Sequence, residues 1–431
     1  MQKFLFWIET RLMPPMARIS EIRHLRAVRD GIIAVLPLII VGCFFLIIAN
    51  PPIDSLAKWV EPHKEQIVVP YRLTLGLMAL YASFGMGYSL ARSYKLDGIA
   101  GGMLTMATFI MATIPVNVDE KLPENEALGW LLPLQHMGGA GLFMSIIAML
   151  IAVETLRFLK QRKLVIKMPE SVPTSVSRSF EALIPATIII LFMWVVRVLL
   201  DVDLHAILQS IFKPLGVFAG NTFLGALVPV LFIMLLWTTG IHGDAVVGSV
   251  FHPIWFALLD QNAAAAASGE TLPNLIVEPF FQWFVWIGGS GTTLALCIFM
   301  MFSKSSYLKQ VGRFSIVPGI FNINEPVVFG VPMVMNPLMF IPFILAPVAC
   351  TVVTYIAFAT GFIGKISILA PWTLPGPIGA YLATGGSWNA VFLNIFNILL
   401  AGVIYWPFFK AYEKRMLAEE QTLNGESAQI M

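Results

Sequence analysis

Charge is what this chain has least of. Of its 431 residues only 12% are Asp, Glu, Lys or Arg, about half the share that a water-soluble fold carries. That scarcity excludes a soluble enzyme, a nucleic-acid binder and a disordered tail. Cysteine is nearly missing too. Cys43, Cys297 and Cys350 stand far apart inside apolar sequence, with no CxxC or Cys/His spacing, which argues against a disulfide framework, a metal centre and a reactive thiol. The sequence has no Walker A motif, no HExxH, no carboxylate-rich cation site and no row of evenly spaced arginines. Primary pumps, intramembrane metalloproteases and voltage sensors therefore fit poorly. No metal or cofactor is expected.

Apolar sequence fills the space. Hydrophobic residues make up 58% of the chain, and stretches such as 31–53, 73–91, 98–118, 127–153, 214–243, 279–303, 326–364 and 366–409 hold no charged residue at all. Roughly 20 apolar helical residues cross a bilayer, so several of these runs each suffice and the longest suffice twice. The expected class is an all-α polytopic membrane protein. Ahead of the first run, Phe4, Phe6, Trp7 and Ile8 alternate with arginines and stop at Pro14 and Pro15, the pattern of an interfacial amphipathic segment. The run itself is long and lacks a small-residue cleavage site, so it reads as a retained membrane helix rather than a secretory signal.

The few charges are informative by position. Basic residues gather at Lys3, Arg11, Arg18, Arg23, Arg26 and Arg29, again between Arg157 and Arg178, and again at Lys410, Lys414 and Arg415. The positive-inside rule assigns all three clusters, and both termini, to the cytoplasm. Four crossings near 31–50, 73–91, 98–116 and 137–156 agree in parity with that assignment. They leave the acidic stretch with Asp119, Glu120, Glu124 and Glu126 outside. A fifth span over 180–200 and a return over 218–238 follow. The expected division is an interfacial segment 1–28, an N-terminal half 29–203 with a cytoplasmic connector at about 157–178, a C-terminal half 204–410 and a tail 411–431. Within the C-terminal half, 244–278 and 313–336 are too polar for plain spans and too apolar for free loops. Irregular backbone at membrane depth persists where protein buries it or where it lines a watery cavity, so both are expected to be re-entrant around a binding site.

An ionisable group inside apolar sequence needs a reason. Glu325, in FNINEPVVFG, has no acidic neighbour downstream before Glu413. Two roles suit it: a base or acceptor for a hydroxyl ligand, or a cap on the backbone N–H groups of a broken helix. His242 lies in WTTGIHGDAV between Gly240 and Gly243, where the chain can bend sharply. It suits contact with a sugar hydroxyl, or simple satisfaction by a carbonyl. His252 is a weaker candidate, and His24, His63, His136 and His205 read as peripheral. Trp237 and Trp372 offer flat faces for a sugar ring, although tryptophans also settle at membrane interfaces. Arg197 either pairs with Asp201 one turn on or reaches a ligand. The solute class left by these residues is neutral and rich in hydroxyls.

The strings SVPTSVSRSFEALIP (171–185), GIHG (240–243), WIGGSGTTLAL (286–296), PGIFNINEPVVFGVPMVMNP (318–337) and APWTLPGP (370–377) resemble the membrane IIC components of the bacterial phosphoenolpyruvate-dependent sugar phosphotransferase system, in its lactose/cellobiose/diacetylchitobiose branch. The resemblance runs over most of the chain. It implies about ten transmembrane helices plus two re-entrant hairpins, a homodimer built on the N-terminal half, and a β-linked disaccharide held in the C-terminal half. It further implies that Glu325 and His242 flank the sugar hydroxyl to be phosphorylated, that Trp372 stacks on sugar, and that Trp237, Asn324 and, more remotely, Arg197 contribute to binding. The phosphoryl donor would be a phosphocysteine on a separate IIB protein, with IIA and the histidine phosphocarrier upstream. Asp244, directly after GIHG, departs from the small neutral residue that would suit the turn. The competing reading is a proton-coupled secondary sugar transporter with Glu325 as its protonation site, and a third is a sugar-sensing membrane protein without turnover.

Overall fold

The computed structural model describes residues 22–49, 51, 54–117, 129–166, 168–169, 177, 180–331, 333 and 337–430. The amphipathic segment over 1–21, the acidic stretch 119–126 and most of the 167–179 connector lie outside the described residues.

Helices dominate, as the uncharged runs require. They are α1 (Arg23–Ala49), α2 (Asp54–Val60), α3 (Lys64–Leu73), α4 (Met78–Ser93), α5 (Gly98–Met111), α6 (Leu142–Gln161), α7 (Leu183–Trp194), α8 (Leu204–Asn221), α9 (Phe223–Thr238), α10 (Gly243–Ser268), α11 (Glu278–Phe284), α12 (Leu294–Met301), α13 (Ser306–Ile320), α14 (Glu325–Gly330), α15 (Pro337–Ala359), α16 (Gly376–Ala383) and α17 (Trp388–Ile430). Among the described residues the only β-structure is a two-stranded antiparallel ribbon, β1 (Val116–Asn117) with β2 (Trp130–Leu131). Among the described residues five helical stretches are long and apolar enough to cross a membrane, and a sixth results if 183–199 and 204–221, bent by 83° at their junction, count as one span. Helices α5 and α9 are shorter apolar elements. The ten spans implied by the resemblance are thus not countable by length and composition alone.

Helices α1, α4, α5 and α6 form one bundle. Small residues set its spacing. A Cβ on Gly31 would lie 2.3 Å from Met86 Cγ, and one on Gly101 2.4 Å from Ala91 Cβ, so α4 meets both α1 and α5 nearly backbone to backbone. Asp97 caps α5 by accepting from Ala100 N at 2.8 Å. The second bundle joins α12 to α13, α15 to α9 and α17, and α16 to α17. Helix α10 packs on both α1 and α9 and so links the two. The carboxylate of Asp260 on α10 accepts from Gly139 N at 2.7 Å, a partly buried tie from α10 to the start of α6.

Three local expectations differ from what forms. Most of 244–278 is a single helix, α10, with Pro253 inside it and Gly269 in the left-handed conformation closing it. Alanines 263–267 are strong helix formers, and they carry the helix through sequence that reads as irregular. The break comes later, in the glycine-rich 285–293 stretch after α11. Arg197 does not pair with Asp201: its Nε donates to Ala112 O at 2.8 Å and its Nη1 to Val202 O. A π-turn over Val195–Leu199 turns this side chain inward, where it staples α7 to the end of α5. His136 and His205 are not peripheral either. Their rings stack at 4.5 Å, and His205 accepts from or donates to Thr113 Oγ1 at 3.0 Å. Within 313–331, α13 ends at Ile320 and a turn over 321–324 leads into the short α14.

Candidate functional site

A cavity of about 690 Å³ opens between α1 and the C-terminal bundle. One wall is aliphatic, made by Ile32, Ile33, Leu36 and Ile40 of α1. The other is polar and aromatic and comes from four places where the backbone breaks.

The first is the GIHG turn. Gly240 has φ +83°, and a Cβ on Gly243 would fall 2.1 Å from Ile233 O, so both glycines are required for α9 to reverse tightly into α10. His242 becomes the N-cap of α10, and its Nδ1 accepts from Ala245 N at 3.2 Å. That bond makes Nδ1 the acceptor and leaves Nε2 as the N–H to offer the cavity. Trp237, nearly buried, packs against this imidazole with ring centroids 4.4 Å apart. It positions His242 and does not itself line the cavity.

The second is the NEP turn. Asn322 has φ +61°, a left-handed conformation that asparagine tolerates better than most residues. Its side chain accepts from Gly288 N at 3.1 Å and donates to Trp372 O and Leu374 O at 3.0 Å each. One amide thus fastens three irregular segments together. Asn324, buried, donates to Ser290 O. Glu325 follows as the first residue of α14, with Pro326 behind it. Its carboxylate has no hydrogen-bond or ion-pair partner among the described residues, and no side-chain bond caps α14. The capping role open from the sequence is thus not seen among the described residues.

Trp372 is the third contribution. It lines the cavity with 44% of its surface exposed, its backbone held by Asn322.

The fourth contribution was not singled out from sequence. Glu278 opens α11 as Glu325 opens α14: each is the first helical residue and is followed by proline. Glu278 Oε2 is buried without a partner. Nearby, Asp244 Oδ1 lies 3.6 Å from His252 Nε2. The signal available in the sequence was the recurrence of Glu-Pro before two hydrophobic residues, EPFF at 278–281 and EPVV at 325–328. The cavity therefore gathers His242, Asn324, Glu325 and Trp372, adds Asp244, His252 and Glu278, and leaves Arg197 outside. Among the described residues no cluster of His, Cys, Asp and Glu could hold a metal ion.

This arrangement suits a neutral polyhydroxylated ring: a carboxylate and an imidazole for hydroxyls, aromatic faces for C–H surfaces, and an aliphatic wall to exclude water. Comparison with known proteins agrees. The family described as "Phosphotransferase system, EIIC" matches residues 29–347. The cellobiose-specific EIIC component of Geobacillus stearothermophilus is 44% identical over 98% of this chain and 97% of its own length. The lichenan permease IIC component of Bacillus subtilis is 40% identical over 96% and 95%. Among solved structures, the transporter ChbC, the IIC component of the N,N'-diacetylchitobiose-specific phosphotransferase system, superposes with a TM-score of 0.90 at 40% identity, over 96% of this chain and 99% of that one. A cavity of this chemistry, in a fold shared over nearly its whole length, makes the chain a member of the phosphotransferase-system EIIC family of membrane sugar permeases.

Proposed function

We propose that this protein takes up a β-linked disaccharide of the cellobiose or diacetylchitobiose type, carries it across the bacterial plasma membrane by alternating access, and presents its 6-hydroxyl to a phosphocysteine on a separate IIB protein. The substrate class rests on the cellobiose-specific and diacetylchitobiose-specific relatives. Glu325 takes the hydroxyl proton as the oxygen attacks phosphorus, the P–S bond breaks, and the cysteine leaves as thiolate. His242, donating through Nε2, holds the same hydroxyl in line. Trp372 stacks on the sugar, and Asn324 acts through the turn that carries Glu325. IIA and the histidine phosphocarrier stand upstream of IIB. The protein works as a homodimer through its N-terminal half, with both termini in the cytoplasm beside the basic clusters.

One observation carries the reading: Glu325 lines the cavity with no carboxylate partner among the described residues, and the same cavity is lined by His242, whose tautomer is set by the Ala245 bond. Transport into proteoliposomes tests it. Sugar should appear inside as its 6-phosphate, and only when phosphorylated IIB is supplied on the side of the basic clusters. Unmodified sugar accumulating without IIB, and lost when the proton gradient is collapsed, would establish a proton-coupled carrier instead.

A further inference from the structure

A second recess, about 320 Å³, lies far from the sugar cavity, at the turn between α4 and α5. Arg92, Lys95 and Lys160 line it together with Tyr88, Asp97 and Ile99. Its charges are unequally spoken for. Lys160 is paired with Glu181 at 2.8 Å, and the Asp97 carboxylate is engaged at the N-cap of α5. Arg92 and Lys95 are exposed and have no carboxylate partner among the described residues, Arg92 lying only over the Tyr88 ring at 6.0 Å. The recess exists because Gly98 lets the first turn of α5 approach α4: a Cβ there would come within 2.7 Å of Tyr88 Cε2 and 2.9 Å of Arg92 Cγ. Further cations stand at the same end of the bundle, with Arg23 and Arg157 over the Tyr94 ring at 5.1 and 4.1 Å.

The apolar surroundings narrow the ligand. Ile99 is 64% exposed and Tyr88 39%, so large side chains with apolar faces line the recess beside the two cations. A guanidinium and an ammonium take phosphate oxygens well, and exposed apolar side chains beside them suit acyl chains. A free phosphate would use the first feature and leave the second unexplained.

We propose that this recess binds the phosphate of an anionic phospholipid, with Arg92 and Lys95 on the headgroup and Tyr88 and Ile99 along the acyl chains. The site is separate from the sugar cavity and does not rest on the function proposed for it.

Native mass spectrometry of the full-length protein, titrated with phosphatidylglycerol or phosphatidylcholine, tests the assignment. Phosphatidylglycerol should bind in preference, and R92Q/K95Q should weaken it by about thirtyfold, at roughly a factor of five for each cation removed. The matched pair K58Q/K64Q, near the opposite end of α1, should leave it unchanged. Equal binding of the two lipids would overturn the proposal, as would R92Q/K95Q binding phosphatidylglycerol like the parent protein. Displacement of the lipid by millimolar inorganic phosphate would reassign the site to a free anion. If R92Q/K95Q lost phosphotransfer from IIB while keeping lipid affinity, the recess would belong to the protein partner and the proposal would fall.

Discussion

Replacing Glu325 by glutamine separates chemistry from binding. The side chain makes no bond that holds the fold and sits exposed at the cavity, so the exchange should shift stability by less than about 0.5 kcal/mol. For binding, a charge-assisted hydrogen bond to a sugar hydroxyl becomes a neutral one, a loss of about 1 kcal/mol and roughly fivefold in affinity. The amide cannot accept the hydroxyl proton. General-base contributions run to about 10²–10⁴ in rate, a barrier increase of about 3–5.5 kcal/mol. The expected outcome is a sugar dissociation constant raised only severalfold by titration calorimetry, with single-turnover phosphorylation by phospho-IIB slowed at least a hundredfold. If phosphorylation slowed no more than binding weakened, Glu325 would be an ordinary contact and the proposed proton transfer would be wrong.

Other substitutions probe the scaffold and the far wall. Trp372→Ala should weaken disaccharide binding by roughly tenfold to a hundredfold, as expected for a half-exposed aromatic anchor, without altering the unfolding temperature. Asn322→Ala strands Gly288 N, Trp372 O and Leu374 O and should cost about 1–3 kcal/mol by denaturant unfolding in detergent; an unchanged midpoint would show that these segments hold together otherwise. Gly243→Ala should be far more disruptive than Gly364→Ala, since the first places a Cβ 2.1 Å from a backbone carbonyl and the second meets nothing within 4 Å. Glu278→Met should raise the thermal midpoint, because it removes a carboxylate oxygen buried without a partner among the described residues and puts no N or O in its place, while lowering sugar affinity.

How legible this was depended on the scale of the signal. Membrane class and helical content follow from long uncharged runs, which leave a hydrocarbon-embedded backbone no choice but to satisfy itself. Glu325 and His242 were visible because each interrupts such a run or flanks it with glycine. Glu278 was hidden by its position at the edge of a run, where an acidic residue passes for a loop boundary. Arg197 misled for a related reason: its spacing from Asp201 suits an α-helical pair, and the π-turn removes that geometry. Asn322 shows what a sequence conceals most thoroughly, since its three backbone partners, at 288, 372 and 374, lie far along the chain and only the fold brings them to one amide.

The polar wall of the sugar cavity carries Asp244, Glu278 and Glu325, and neither Lys nor Arg is among its described lining residues. A neutral sugar meets no penalty there. In the proposed reaction a phosphoryl group, once attached, would set a dianion against the Asp244 and Glu278 carboxyl groups, with only the proton taken up by Glu325 and the imidazole N–H groups to soften the repulsion. Product so formed would be pushed toward the aqueous side on which it was made, and sugar phosphate in the cell would bind this wall weakly. With neither Lys nor Arg among its described lining residues, the cavity would lend the proposed reaction a direction, set by where positive charge is withheld.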